Sequence, residues 1–232
     1  HPDVRRMLLD MRSITEAMRG ICLMNAVAMD GASALSDEDD RQKAEDLNEL
    51  LIPITKAWCT DMGVEVTSLA VQVFGGMGFV EETGVSQFFR DARIAPIYEG
   101  TNGIQAMDLV GRKLPMRAGG VVTDTMANIR ATIDELNGQE ELAGIASRLS
   151  EATDALDEAT QWIFANSGDI RDVLSGATPY LRMWGLVVGG WVLGKSALAA
   201  TEWAAEGGDE AFCTEKVRTA RWFADQQLPA VA

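Results

Sequence analysis

The chain has 232 residues, 47% of them hydrophobic, so it is long enough for one large or two small domains with a substantial core. Its formal net charge is −15, which leaves no basic surplus to neutralise nucleic-acid phosphates and argues against a nucleic-acid partner. A single histidine, His1, excludes a histidine-based triad and most zinc sites within the chain, so no metal is expected.

Three cysteines (Cys22, Cys59 and Cys213) are widely spaced and form no CxxC pattern, which is typical of buried or incidental thiols in a reducing compartment. The chain begins His-Pro-Asp without an initiator methionine, so we interpret it as a fragment whose targeting signals would lie in the missing part. The longest apolar run, 183–194, is shorter than the roughly 20 residues that a membrane span needs. No membrane span is therefore expected.

The first predicted element is a helix that starts at Pro2 and continues to about Ala34, because apolar residues follow at three- and four-residue spacing. The acidic stretch 30–49 predicts a solvated loop and a helix start capped by Ser36 or Asp37, with an acidic docking surface as the alternative.

A second helix is predicted to run toward Phe74, and Pro53 inside it should kink or split it. A short helix is predicted over 85–91. Another is predicted over 101–114, in which Asp108 and Arg112 can pair at i,i+4.

Beyond Pro115 the composition changes to RAGG, which predicts a boundary between two helical units. In the second unit, apolar residues recur every three or four positions over 142–163, and small residues recur over 180–205, which indicates close helix packing. No stretch alternates with period two. We therefore predict an all-α fold: a four-helix up-and-down bundle over 1–115, followed by a second helical bundle or extension over 116–232.

The segment 71–105 holds the two features that carry chemistry. The first is a carboxylate, Glu99, in a Tyr-Glu-Gly-Thr turn that opens a helix and follows four apolar residues. A base that removes a proton next to a carbonyl must be close to that carbon and shielded from water, and a carboxylate in apolar surroundings meets this need. From Glu-Gly-Thr alone, a first-turn acid favoured by the helix dipole is the competing interpretation.

The second feature is the glycine cluster Gly75, Gly76 and Gly78, which closes an apolar helical run. As bare sequence it is a helix C-terminus followed by a loop. No strand precedes it, so neither a dinucleotide-binding fingerprint nor a P-loop is indicated.

The ordered pair QVFGG and IYEGT, with RDAR just before the second, resembles the C-terminal helical domain of the acyl-CoA dehydrogenases over residues 1–114. From about residue 116, YLRMWGLVVGGWVLGKSA and TARWFADQQLP resemble the helical extension of the larger bacterial members. YEGTNGIQAMDLVGRKL is similar to the subgroup that includes 3-methylmercaptopropionyl-CoA dehydrogenases. For Arg90, Asp91 and Arg93 we favour an ion-paired scaffold that holds the following turn.

The resemblance implies a role for each matching residue. Glu99 would be the catalytic base, and Tyr98, Glu99 and Gly100 would contact the substrate. Thr101 would contact the subunit's own FAD, while Gly103, where several relatives carry a glutamine, would offer only its backbone. The matching QxFGG segment would contact the FAD of a neighbouring subunit through Gln72, Val73, Phe74, Gly75 and Gly76.

The activity implied is α,β-dehydrogenation of an acyl-CoA thioester to a 2-enoyl-CoA, with FAD as hydride acceptor. The implied partners are an electron-transfer flavoprotein and further copies of the chain, in a homodimer or homotetramer, within the bacterial cytoplasm. We expect this fragment alone neither to bind FAD tightly nor to turn over substrate. The alternatives are an acyl-CoA oxidase, which passes electrons to oxygen, and a non-catalytic helical assembly module.

Overall fold

The computed structural model describes every residue from His1 to Ala232 and contains helices without any strand. This confirms the all-α prediction. The α-helices, in chain order, are α1 (Pro2–Ala34), α2 (Glu38–Phe74), α3 (Gly76–Phe79), α4 (Val85–Ala92), α5 (Asn102–Asp108), α6 (Gly120–Asn137), α7 (Ala143–Ala165), α8 (Ile170–Ser175), α9 (Ala177–Ala205) and α10 (Glu210–Gln226). Short 3-10 turns occupy Glu81–Thr83, Met116–Gly119 and Leu228–Val231.

Helices α1 and α2 form a long antiparallel hairpin. The predicted cap at Asp37 is confirmed, since its carboxylate accepts a hydrogen bond from the Asp40 amide at 3.0 Å. Halfway along the hairpin, Asn25 Nδ2 donates to Asn48 Oδ1 at 2.7 Å. The hairpin forms the frame on which the rest of the chain packs.

Pro53 does not split the second helix, because α2 runs without interruption from Glu38 to Phe74. A proline inside a helix removes one backbone hydrogen bond and crowds the preceding turn. Here the Pro53 ring is buried beside Leu50, Leu51 and Ile54, which have no exposed surface. Packing of this long helix against its neighbours therefore outweighs the local loss.

The helix predicted over 101–114 is α-helical only from Asn102 to Asp108 and continues as a π-helical turn over Leu109–Lys113. The predicted pair is confirmed, with Arg112 Nη1 at 2.9 Å from Asp108 Oδ1. The buried Lys113 ammonium is ion-paired with Glu49 of α2. That pair anchors the end of this segment to the hairpin.

The RAGG stretch after Pro115 forms a 3-10 turn in which Arg117 and Ala118 have φ of 50° and 55°. Arg117 bridges this turn to α2 and α6, donating to Asp46 Oδ2 at 2.6 Å and to Asp124 Oδ2 at 2.9 Å. One cluster of 43 buried residues includes side chains from both sides of the turn. The side chains on the two sides of residue 115 thus share one core, and the division into two units at this residue stays a prediction from the sequence.

Helix α9 is the central helix of the core. Its glycines face neighbouring helices, as predicted: a Cβ on Gly185 would lie 2.0 Å from Trp58 Cγ of α2, and one on Gly189 would lie 3.3 Å from the Ala17 Cβ of α1. By length and composition alone this 29-residue helix could cross a membrane, although its longest apolar run, 183–194, is short. Its most apolar window is 72% buried inside the protein, as in the core helix of a helical bundle.

Candidate active site

The Tyr-Glu-Gly-Thr turn has an unusual backbone. Glu99 has φ of 56°, in the left-handed region that side chains other than glycine rarely adopt, and Gly100 follows with φ of 79°. Such a conformation costs a non-glycine residue about 1–2 kcal/mol, and it persists only where surrounding contacts impose it. Strain of this kind is concentrated at functional sites.

Several hydrogen bonds impose this conformation. The Asn102 amide donates to the Pro96 carbonyl at 3.1 Å and closes the turn. The side chain of Gln105 donates to the Glu99 carbonyl at 3.3 Å, and Lys56 Nζ donates to the Gly100 carbonyl at 2.7 Å. The carbonyls of Glu99 and Gly100, the two residues with positive φ, therefore each accept a side-chain hydrogen bond.

The buried side chain of Asn102 fastens the turn to α2. Its Nδ2 donates to the Ala57 carbonyl at 3.0 Å and to Asp61 Oδ1 at 2.7 Å, and its Oδ1 accepts from Lys56 Nζ at 2.7 Å. A buried amide must satisfy its polar atoms within the protein. Asn102 does so against one face of α2 and thereby places Glu99 relative to that helix.

Thr101 caps α5, because its hydroxyl accepts from the Ile104 amide at 3.4 Å. Lys56, Asn102 and Gln105 were not identified in the sequence. An Asn after Gly-Thr looks like an ordinary first-turn residue, and nothing local distinguishes Lys56 from Lys43, the other lysine of α2. The links depend on contacts between residues about 45 positions apart.

Glu99 is exposed in this chain, as are its neighbours Ile97 and Tyr98, which are 49% and 51% exposed. The apolar setting predicted for the carboxylate is therefore present as an open surface, and the shielding from water expected of a base is not provided by this chain. The Glu99 amide donates no hydrogen bond within the protein, so it is free to bind an acceptor. Shielding requires apolar surface from outside this chain.

The QVFGG segment covers the C-terminal end of α2, which ends at Phe74 as predicted. The loop predicted to follow was wrong, because Gly76 begins the short helix α3. Gly75 has φ of 62° and ψ of −143°, a conformation essentially limited to glycine, and a Cβ on either Gly75 or Gly76 would meet no atom within 4 Å. The next glycine is required by packing, because a Cβ on Gly78 would lie 2.2 Å from the Val71 carbonyl oxygen. The result is a bare stretch of backbone at the surface.

Exposed apolar side chains surround that backbone. They come from the end of α2, from α3 and from α4: Phe74 (53% exposed), Met77 (57%), Phe79 (83%) and Phe88 (67%). Several exposed large apolar side chains on adjoining elements are typical of an interaction site.

In the structure, the glycine cluster and the Tyr-Glu-Gly-Thr turn of the segment 71–105 lie apart. Asn102 contacts α2 at Thr60, whereas the glycine cluster follows Phe74 at the end of the same helix. At 1.5 Å per residue, about 20 Å of helix axis separates these points. Residues 72–76 and residues 98–103 therefore form two distinct surfaces along one helix.

Arg90 is part of a scaffold, although for a different turn from the one expected. Its guanidinium makes a bidentate pair with Glu81, at 2.9 Å to each carboxylate oxygen, and so fixes the preceding 3-10 turn. Asp91 and Arg93 are exposed. The prediction that this scaffold holds the following turn was wrong because α4 turns Arg90 back toward residues 81–83.

A cavity of about 600 Å³ lies elsewhere, between α1, α9 and α10, and is lined by residues such as Arg12, Glu16 and Lys216. These side chains are paired with one another, Lys216 Nζ with Glu16 at 2.8 Å and Arg12 with Glu16 at 3.1 Å. The described residues also contain no group of acidic, histidine or cysteine side chains suited to a metal ion.

Two thiols far apart in sequence meet between α1 and α2. The Cys59 thiol donates to the Met18 carbonyl at 3.9 Å. Interaction with the nearby Cys59 thiol lowers the pKa of Cys22 to about 6. The same interaction, together with burial, raises the pKa of Cys59 above its usual range. Cys22 itself is exposed, so its thiolate is open to solvent.

Comparison with known proteins matches both halves of the chain. Residues 1–114 match the model of the acyl-CoA dehydrogenase C-terminal domain, and residues 125–232 match that of the acetyl-CoA dehydrogenase C-terminal like family. A 3-methylmercaptopropionyl-CoA dehydrogenase of Ruegeria pomeroyi is 47% identical over 98% of this chain and 39% of its own length.

Two solved structures share the fold. Caenorhabditis elegans ACDH-11, crystallised in complex with C11-CoA, superposes with a TM-score of 0.76 at 18% identity, over 96% of this chain and 36% of that one. A Bacillus anthracis acyl-CoA dehydrogenase complexed with FAD gives 0.75 at 18% identity, over 100% of this chain and 41% of that one. This chain thus spans about two fifths of the length of the relatives that it matches. From the two matching domains and the shared fold, we conclude that the chain belongs to the acyl-CoA dehydrogenase family and contains its C-terminal helical domains.

Proposed function

We propose that the intact protein is an FAD-dependent acyl-CoA dehydrogenase that converts an acyl-CoA thioester to a 2-enoyl-CoA, with Glu99 as the base. The observation that carries this proposal is the turn itself. An exposed carboxylate stands on a strained backbone, and hydrogen bonds from Lys56, Asn102 and Gln105 hold that backbone in place. The names of the matching relatives, which refer to acyl-CoA substrates, support the substrate class.

In the proposed reaction, the Glu99 carboxylate removes the proton from the carbon next to the thioester carbonyl. Negative charge then develops on the carbonyl oxygen, and the unpaired Glu99 amide is a suitable donor for it. Gly100 carries no side chain and is exposed, so the acyl thioester can approach the backbone beside Tyr98. The base and the oxygen donor thus belong to one residue.

The residues proposed to contact FAD are at least partly exposed, so a bound FAD could reach them. Thr101 and Gly103 are exposed at the start of α5, and Gly75 and Gly76 leave open backbone at the end of α2 beside Phe74. Bound FAD supplies the acceptor for the hydride from the β carbon. We propose that Gln72, Val73, Phe74, Gly75 and Gly76 meet the adenosine diphosphate part of a neighbouring subunit's FAD, and that Thr101 and the Gly103 backbone meet the subunit's own.

The distance between the two surfaces supports a shared arrangement. Because about 20 Å of α2 separates them, we propose that each surface serves a different flavin across a subunit interface, in a homodimer or homotetramer. We also propose an electron-transfer flavoprotein as the acceptor and the bacterial cytoplasm as the location. Free cysteines and a bacterial relative support that location.

Glu99→Gln in the intact protein tests the base. We expect acyl-CoA dehydrogenation, measured with an artificial electron acceptor, to fall about a thousandfold, since a carboxamide cannot accept the proton. Glu158→Gln is a matched control on α7, where the carboxylate is exposed and has no ion-pair partner, and it should retain the wild-type rate. A Glu99→Gln protein with near wild-type turnover would show that Glu99 is not the base.

Further measurements separate the alternatives. Stoichiometric hydrogen peroxide formed by the intact enzyme with acyl-CoA in air would indicate an oxidase. A protein that binds flavin yet is not reduced by any of a panel of acyl-CoA thioesters would indicate an assembly module. A stoichiometric flavin spectrum from the purified fragment would overturn our expectation that the fragment alone does not bind FAD.

A further inference from the structure

We infer that Lys56 is a positioning residue for the base: with Gln105 it forms a clamp that holds the backbone of Glu99 and Gly100 in the left-handed conformation needed for proton removal. This inference rests on the proposed function of Glu99. The clamp is defined as the hydrogen bonds from Lys56 Nζ to the Gly100 carbonyl, at 2.7 Å, and from Gln105 Nε2 to the Glu99 carbonyl, at 3.3 Å.

The contacts of Lys56 indicate that it holds the turn and is not merely a solvated surface lysine. Its ammonium is within 2.7 Å of two acceptors, the Gly100 carbonyl and Asn102 Oδ1, and it has no carboxylate partner in the chain. Asn102 is in turn held by Ala57, the residue after Lys56, and by Asp61, more than one turn further along α2. The lysine is therefore positioned by the helix and by the buried amide, and a second N–H of its ammonium donates to the turn.

The need for a clamp follows from the backbone. Left to itself, a glutamate leaves a φ of 56° for the ordinary helical or extended regions. Any such change rotates the Cα–Cβ bond and moves the carboxylate relative to the substrate. Misplacement of a reacting group by about 1 Å costs on the order of a hundredfold in rate. A charge-assisted hydrogen bond to the next carbonyl opposes that change.

The test measures proton removal separately from hydride transfer. A thioester of CoA whose β carbon is replaced by sulfur has an acidic α proton and no β hydride to lose. Exchange of its α protons with deuterium from D2O, followed by NMR on the intact holoenzyme, therefore reports the base alone. We expect wild type to catalyse this exchange and Glu99→Gln not to do so. If wild type shows no exchange, the proposed function itself fails.

Lys56→Met keeps the aliphatic stem and removes the ammonium. We expect the α-exchange rate and kcat to fall about 10- to 100-fold, because the charge-assisted hydrogen bond to the Gly100 carbonyl is lost together with that to Asn102, with KM changed less than about twofold. Lys56→Arg should recover part of the rate by restoring a charged donor. Lys43→Met is the control on the same helix, where the ammonium contacts Asp40 at the exposed surface, and it should match wild type.

Gln105→Ala provides a second test that does not depend on the folding of the Lys56 variant, because Gln105 is only partly buried and its amide contacts the turn. We expect a smaller loss of exchange in this variant. If Glu99→Gln abolishes exchange but either Lys56→Met or Gln105→Ala exchanges at the wild-type rate, the clamp is refuted while Glu99 remains the base.

Discussion

Replacing Gly185 by alanine tests how tightly α9 packs against the α1–α2 hairpin. The added methyl carbon would lie 2.0 Å from Trp58 Cγ, 2.2 Å from Cδ1 and 2.6 Å from Cβ. Trp58 is 1% exposed, so its indole ring has no open space into which it can move. Ordinary van der Waals contact begins at 3.4 Å, and the two helices must therefore separate or the ring must leave its position.

The expected cost follows from two opposing effects. Overpacking of a close-packed core costs about 1–3 kcal/mol, and a rigid ring held on both sides places this substitution near the upper end. Alanine in place of glycine favours the helix by about 1 kcal/mol. We therefore expect the free energy of unfolding to fall by about 2 kcal/mol. For a chain of this length, that corresponds to a decrease in Tm of about 4–8 °C.

Thermal unfolding followed by circular dichroism measures the effect, with Gly63→Ala as the matched control. Gly63 is also inside a helix, α2, but a Cβ there would meet no atom within 4 Å, so this variant should gain about 1 kcal/mol. In a Trp58→Ala background the penalty of Gly185→Ala should largely disappear, because the two sites are coupled. Equal Tm shifts for both glycine variants, or a penalty that persists without the indole, would refute the packing argument.

Two predictions concern ionisation. Alkylation of Cys22 should reach half its maximal rate near pH 6, because the Cys59 thiol stabilises the thiolate and lowers the Cys22 pKa to about 6. Cys59→Ala should move this midpoint toward about pH 8.5. An unchanged pH profile in that variant would contradict the pairing of the two thiols. Burial raises the pKa of Tyr180, which is hydrogen-bonded to Thr160 at 2.7 Å, to about 12. Because the folded state keeps the neutral phenol, stability from this group is complete below pH 10 and is lost between pH 10 and 12, by about 3 kcal/mol. The free energy of unfolding, measured with urea at several pH values across this range, should fall more steeply with pH in wild type than in Tyr180→Phe. If the two proteins lose stability equally with pH, Tyr180 is not the cause.

Local patterns identified most of the helices correctly. The apolar spacing predicted a helix from Pro2 to about Ala34, and α1 has these bounds; the cap at Asp37 and the helix over 85–91 are confirmed to within one residue. Helical periodicity and capping are properties of neighbouring residues, so they can be identified without knowledge of the fold. The same applies to Gly75, where only glycine accepts the backbone that ends α2.

Local sequence patterns were insufficient where packing between distant residues determines how far a helix extends. Of the kink or split predicted at Pro53, the split was wrong, because buried contacts keep α2 continuous from Glu38 to Phe74. The apolar run 183–194 is likewise only part of a helix that extends over 29 residues and is largely buried inside the protein. In both cases the length of the helix depends on what packs against it.

The sequence by itself determined that this protein is helical, where most helices begin and end, and that a carboxylate stands in a glycine-containing turn at residue 99. Only the tertiary structure decided how that carboxylate is held. The contact from Lys56 to the Gly100 carbonyl joins residues 44 positions apart, and the separation of the glycine cluster from Glu99 depends on where Asn102 meets α2. Such contacts arise from the packing of one helix against another, and no local sequence pattern encodes them.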